Sequence, residues 1–183
     1  FLCNLLKATN LRPYKVEKLN THGGSIRLYV CKHPASIKTD ESVQEILNEE
    51  EKFGLNRVDT YSKFQEDIII IKNNFHSFIL DKYISGKKIV AYGAAAKGNT
   101  FLNFCGIKSD LIEYVCDISP SKQNKFLPGS HIPIVAPNKL RETKPDYIII
   151  LPWNLKNEIS SQLAYVREWN AKFICAIPNL EIF

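Results

Sequence analysis

The sequence predicts an α/β fold: a mostly parallel sheet with helices on both faces, preceded by a long helix and a β-hairpin. Three observations carry that expectation. From Lys87 onward, apolar strand-like runs alternate with helical patterns, and two of the runs, residues 89–92 and 147–151, are nearly all apolar, as strands covered on both faces of a parallel sheet must be. The first run leads, without a hairpin signal, into Gly93-Ala94-Ala95-Ala96-Lys97-Gly98-Asn99-Thr100, which reads as a strand, a tight turn and a helix start. Ahead of both, Tyr61, Phe64, Ile68, Ile71, Phe75 and Phe78 recur every three or four residues, the apolar stripe of one long helix.

Taken in order, residues 1–11 place Phe1, Leu2, Leu5, Leu6 and Leu11 at helical spacing, with Asn10 as a stop before Arg12-Pro13. A strand over residues 14–19, the turn Thr21-His22-Gly23-Gly24-Ser25 and an alternating strand over residues 26–30 form a hairpin. His33-Pro34-Ala35-Ser36 opens a linker, and Asp40 or Ser42 caps a helix that ends at Phe53-Gly54. The striped helix follows and stops at Ser85-Gly86. Beyond it come a strand at 89–92, a helix at 97–104, a strand at 112–116, a short strand at 132–135, a helical turn at 138–143, a strand at 147–151, a helix at 154–169 and a last strand at 173–177. The expected organisation is therefore residues 1–34 as the tail of a preceding domain, 35–85 as a helical linker and 86–183 as a Rossmann-like domain.

Composition narrows the class. Hydrophobic residues make up 45% of the 183, charged residues 23%, and the net charge is +5, the profile of an ordinary globular protein. The modest positive charge suits an anionic small molecule as well as nucleic acid, and the scattered lysines show no aromatic interleaving to favour the latter. No apolar run approaches the length of a membrane span. Cys3, Cys31, Cys105, Cys116 and Cys175 stand far apart with no metal-ligand spacing, so reduced thiols in a cytoplasmic protein are expected, without disulfides or zinc. The lack of any methionine leads to the expectation that the chain is a piece of a larger protein.

The glycine stretch is the main candidate site. Gly93 and Gly98 fill the first and third places of G-x-G-x-x-G, while Ala95 holds the middle place, where a methyl group argues for a shifted or looser phosphate contact. Backbone N–H groups and the positive dipole end at such a helix start attract anions, and Lys97 adds a point charge. Asn99 stands where a P-loop needs lysine, which argues against nucleotide triphosphatase chemistry although Thr100 fits that pattern. A turn that binds nothing is the alternative.

Strand ends supply the other candidates. Asp117 lies 19 residues beyond Gly98, close to the spacing at which an acid accepts a bond from a nucleoside sugar hydroxyl, and an aspartate capping the next turn is the competing reading. Lys122, Gln123, Lys125 and His131 belong to or border a long loop, residues 119–130. Trp153 and Asn154 follow the strand at 147–151, where the ring stacks on a base or packs as core. His22 is the single candidate for acid–base work, although a lone histidine in a turn is usually structural. No catalytic group and no metal site is expected in this chain.

Four motifs appear in order: Thr21-His22-Gly23-Gly24-Ser25-Ile26-Arg27, Val90-Ala91-Tyr92-Gly93-Ala94-Ala95-Ala96-Lys97-Gly98-Asn99-Thr100, Leu127-Pro128-Gly129-Ser130-His131-Ile132-Pro133 and Ile150-Leu151-Pro152-Trp153-Asn154. Together they resemble the C-terminal region of the sugar-nucleotide C-methyltransferases, which act on deoxysugars in antibiotic and surface-polysaccharide pathways. The resemblance covers essentially the whole chain. It implies a Rossmann-like domain that helps to hold a nucleoside diphosphate sugar, and a preceding domain whose tail is residues 1–30. It implies further that the zinc cysteines, the S-adenosylmethionine loop and the Tyr/Glu/His group that deprotonates the sugar carbon beside a ketone all lie upstream of Phe1. The mechanism it implies for the full enzyme is attack of the enolate formed there on the methyl group of S-adenosylmethionine, and with those parts upstream the fragment is expected to be inactive alone. Two other classes stay open: half of an NAD(P)-dependent oxidoreductase, and a non-enzymatic interaction domain using the long helix as a partner surface.

Overall fold

The structure is a computed structural model that describes all 183 residues, and the chain divides into two compact units, Phe1–Gln65 and Glu66–Phe183. In the first unit, helix α1 (Leu2–Ala8) precedes strands β1 (Leu11–Leu19) and β2 (Ser25–Lys32), which pair antiparallel from Leu11 opposite Lys32 to Leu19 opposite Ser25. β1 begins earlier than its sequence suggests because Pro13, which has no N–H for a ladder, sits at a register shift between Pro13 and Lys15. A 3-10 turn over Thr21–Gly23 joins the strands. Helix α2 (Glu41–Phe53) starts where Asp40 accepts a bond from the Ser42 N–H at 3.0 Å, and it ends at Gly54 in the left-handed conformation. Ser42 reaches β1 as well, its hydroxyl accepting from the Val16 N–H.

Helix α3 (Val58–Ile84) begins in the first unit, and from Glu66 onward it belongs to the other. The second unit is a seven-stranded sheet. Its strands are β3 (Ile89–Tyr92), β4 (Val115–Cys116), β5 (Lys125–Phe126), β6 (Pro133–Val135), β7 (Tyr147–Ile150), β8 (Lys172–Cys175) and β9 (Glu181–Ile182), in spatial order β5-β6-β4-β3-β7-β8-β9. The central five are parallel, and β5 and β9 add antiparallel edges. Helices α4 (Ala96–Cys105), α5 (Lys139–Thr143) and α6 (Lys156–Gln162) make the crossovers.

Alternation along the buried strands divides the interior in two. Ile89 and Ala91 of β3, with Ile149 of β7 and Ile174 of β8, face Phe75 and Ile79 of α3 and Leu102 and Cys105 of α4. Val90 and Tyr92, with Ile148, Ile150 and Phe173, face Leu140 of α5, Ile159 of α6 and Val166. Both faces of the sheet are thus covered, which is why β3 and β7 carry no polar residue. Cys105, Cys116 and Cys175 are buried, and burial pushes the Cys105 thiol up to about 11 and that of Cys116 up to about 12. No helix is long and apolar enough to cross a membrane.

Four sequence expectations need correction. The strand expected at 112–116 is reduced to Val115 and Cys116, although the Glu113 N–H donates to the Ile89 carbonyl, the Tyr114 carbonyl accepts the Ala91 N–H, and Ile112 and Tyr114 are buried. The loop expected over 119–130 contains β5, whose exposed Lys125 and Phe126 carry no apolar alternation to announce it. The helix expected over 154–169 is broken into a 3-10 turn (Trp153–Leu155), α6 and a second 3-10 segment (Ala164–Trp169). The last strand ends at Cys175 instead of 177, and β9, two residues long, has too few residues to show a period.

Candidate functional site

Chain order reverses at β3. From β3 the chain moves through β4 to β6 on one side, then crosses back to β7 and β8 on the other. In open α/β sheets a crevice forms at the carboxyl ends of the strands at such a reversal. The segments after β3, β4 and β7 meet on this rim, and they are the three that hold Gly93, Asp117 and Trp153.

The turn after β3 is fixed by close approach. Gly93 has φ +86°, and a Cβ placed there would lie 2.5 Å from the Pro152 ring. Gly98, inside α4, would put a Cβ 2.5 Å from the Cβ of Leu151. Both glycines therefore allow the rim segment after β7 to sit directly on the β3–α4 turn, and Gly98 fills the role of the third fingerprint glycine, helix-to-sheet contact. The sequence places Leu151 and Pro152 in the motif Ile150-Leu151-Pro152-Trp153-Asn154 but does not mark them as the packing partners of the two glycines. The available signal was their place at the end of an apolar strand beside the candidate tryptophan.

The backbone donors of the turn are already used. The Gly93 N–H bonds to the Cys116 carbonyl at 2.7 Å, the Ala95 N–H to the Gly93 carbonyl at 2.8 Å, and the Ala94 N–H to Asp117 Oδ2 at 2.7 Å. Ala95 is the residue before α4, extended at φ −88° and ψ 147°, so the middle position of the fingerprint serves as the N-cap. No side chain caps α4 and its first turn carries no acid. The positive end of the helix dipole is thus not offset within the helix, and this end of α4 is where an anion is favoured. Asn99 donates its N–H to the Ala95 carbonyl and its own carbonyl accepts from the Asn103 side chain, while the Thr100 hydroxyl donates back to the Ala96 carbonyl.

On one side of the turn stands Asp117, buried among the donors of the rim. Its Oδ1 accepts the Ser119 N–H at 2.8 Å, which caps the turn after β4. Oδ2 accepts both Ala94 N–H and the Lys122 ammonium, the latter at 3.2 Å, and the same ammonium donates to the Ala94 carbonyl at 3.0 Å. Gln123 donates to the Asp117 carbonyl. On the other side, the Lys97 ammonium donates to Asn154 Oδ1 at 2.8 Å and lies 4.8 Å from the centre of the Trp153 ring. Exposed Lys97 and Asn154 and half-buried Trp153 form one cluster at the start of α4, with a charge, an aromatic face and an amide.

The structure does not bring every candidate here. His131 precedes β6, at the amino end of that strand, so about four residues or roughly 13 Å of strand separate it from the carboxyl rim. It is exposed and left-handed (φ 55°), its N–H bonding to the Leu127 carbonyl. Lys125 sits on the edge strand β5, its ammonium donating to the Ser121 carbonyl at 2.7 Å. His22 belongs to the other compact unit, in the turn between β1 and β2, with a left-handed backbone of φ 56°.

Fold and rim together define a Rossmann-like domain with an anion-favouring helix start, a lysine and an aromatic ring at its topological switch point. The chain belongs to the C-methyltransferase C-terminal domain family, which residues 20–178 match. It is 32% identical over 178 residues to C-methyltransferase NovU of Streptomyces niveus, a match taking in 97% of this chain and 42% of that protein. The chain thus spans less than half the length of this relative. The crystal structure of UDP-D-quinovosamine 4-dehydrogenase from Vibrio fischeri aligns with 51% of this chain and 79% of that chain, at 19% identity and a TM-score of 0.36, a likeness too distant to carry an argument.

Proposed function

We propose that this chain is the substrate-holding part of an S-adenosylmethionine-dependent C-methyltransferase whose substrate is a nucleoside diphosphate linked to a keto-deoxysugar. Membership of the C-methyltransferase C-terminal domain family and the likeness to NovU support the methyltransferase part. The observation that carries the substrate reading is the cluster of Lys97, Trp153 and Asn154 at the uncapped start of α4. Diphosphate oxygens take the helix dipole and the Lys97 charge, and the base takes the Trp153 face and the Asn154 amide.

The residues of this chain do not fit either group that the chemistry calls for. Zinc needs three or four converging Cys, His or acidic ligands, and no group of three His, Cys, Asp or Glu side chains comes together. S-adenosylmethionine in a Rossmann-like site needs an acid free to take ribose hydroxyls, and the acid in that position, Asp117, already holds three donors. Both groups are assigned to other parts of a longer polypeptide, and no step of methyl transfer is assigned to this chain.

The test is the melting temperature of the chain with dTDP, UDP, NADH and S-adenosylmethionine, each in large excess. A ligand at 100 times its Kd adds about 2.7 kcal/mol to stability. A rise with the nucleoside diphosphates alone is the expected result, and Lys97→Ala should weaken their binding about tenfold. A rise with NADH alone would replace this reading with the oxidoreductase one, and unchanged nucleotide affinity in Lys97→Ala would remove Lys97 from the site.

A further inference from the structure

The acid that dinucleotide folds offer to a ribose hydroxyl has a different occupation here. Asp117 ends the strand next to β3, where that acid is expected. Its side chain is only 8% exposed. Three donors already converge on it: the Ala94 N–H and the Lys122 ammonium on Oδ2, and the Ser119 N–H on Oδ1. Two of these donors hold the glycine turn itself. Asp117 takes the N–H of Ala94, and Lys122, paired with Asp117, takes the carbonyl of the same residue at 3.0 Å. Both polar groups of one residue in the turn are thereby gripped from the β4 side, and the turn delivers α4 to the crevice. A carboxylate so used, and so far from solvent, has three of its roughly four acceptor positions filled and is poorly placed to take a ligand hydroxyl. Releasing it would cost the turn one of its two anchors and leave a buried charge short of partners.

Given that the rim holds a nucleoside diphosphate, as proposed above, we infer that Asp117 and Lys122 position the glycine turn and do not read the nucleoside sugar, so that ribo- and 2′-deoxyribonucleoside diphosphates bind this rim equally well. The pair is a clamp. Selection among nucleotides then falls to the diphosphate and the base, at Lys97, Trp153 and Asn154, on the far side of the turn.

UDP and dUDP differ only in the 2′-hydroxyl, and titration calorimetry of the 183-residue chain with each gives the ratio directly. The expected ratio of Kd values is within about twofold. A hydroxyl bonded to the carboxylate would favour UDP by about tenfold or more, and that result overturns the inference while leaving the nucleotide reading intact. Lys122→Met, which removes one jaw of the clamp and spares the buried carboxylate, should weaken UDP, dUDP and inorganic pyrophosphate by one common factor of about three to ten. A Lys122→Met chain that binds all three as the parent does, or that changes the UDP to dUDP ratio, overturns the clamp. The parent ratio stands as a test even if that variant does not fold. Failure of UDP, dUDP and pyrophosphate alike to bind the parent chain overturns the nucleotide reading and the inference with it.

Discussion

Gly93 and Gly98 show how much of the rim depends on single atoms. At Gly93 a methyl group meets the Pro152 ring at 2.5 Å on a backbone with φ +86°, so two penalties act together, the left-handed backbone and overpacking. Gly93→Ala should cost about 2–4 kcal/mol in urea denaturation. At Gly98 the helical backbone is relaxed, and alanine gains about 1 kcal/mol of helix propensity. The added Cβ, however, lands 2.5 Å from the Cβ of Leu151, an atom that no rotamer can move away, and overpacking of this kind costs about 1–3 kcal/mol. Gly98→Ala is therefore expected to be net destabilising by about 1 kcal/mol, and truncating Leu151 beyond its Cβ should not rescue it. A stabilised Gly98→Ala chain would mean that α4 can lift from the sheet. The glycines were legible in the sequence as a fingerprint; that Pro152 and Leu151 are their partners was not, because those contacts join residues more than 50 positions apart.

Elements differ in how openly they declare themselves. α2 is framed by Asp40 and Gly54, and the structure uses both, one as a side-chain cap and the other as a left-handed end. Hydrogen bonds from Ser42 hold the Asp40 carboxyl below its ordinary range. A lowered carboxyl contributes stability that is present above its unfolded value near 3.8 and is lost as pH falls through the folded value. Asp40→Ala should accordingly lower the melting temperature at pH 7, and the deficit against the parent should shrink below pH 4. A deficit that is constant with pH would mean that the charge of the cap contributes nothing. By contrast, the segment after β7 carries helical residues throughout yet breaks into two 3-10 pieces around α6. Local propensity identifies such a region as helical, but where the helix breaks depends on which of its residues must reach the sheet, here Ile159, Leu163 and Val166.

For the molecule as a whole, the buried thiols and phenols govern its response to base. Cys105 and Cys116 are pushed up from 9.0 to about 11 and about 12, and Tyr114 from 10.0 to about 12, in each case chiefly by burial. Cys175 is raised for the same first reason. Groups held protonated in the fold contribute stability that is complete below their unfolded values and is lost as pH rises through the folded ones. The contribution of these groups to the unfolding free energy should therefore be constant up to about pH 9 and fall between pH 9 and 12. A thiol reagent at pH 8 should label the partly exposed Cys3 and Cys31 at once, and Cys105, Cys116 and Cys175 only on unfolding. Rapid labelling of all five would contradict the packing of both interior clusters.

The amino-acid order alone determined the α/β class, the parallel sheet covered on both faces, the glycine turn at the start of α4 and the family resemblance. All of these are written in short-range pattern: apolar runs, a 3.6-residue stripe, glycines at fixed spacing and short contiguous motifs. Tertiary structure alone decided which candidates share a site. It set Lys97 on Trp153 and Asn154, drew Asp117 and Lys122 under Ala94, and left His131 at the far end of its strand. The physical reason is strand order: which loops share a rim follows from the crossover at β3 and from the end of each strand at which a loop emerges, and neither is encoded in any local stretch of the chain.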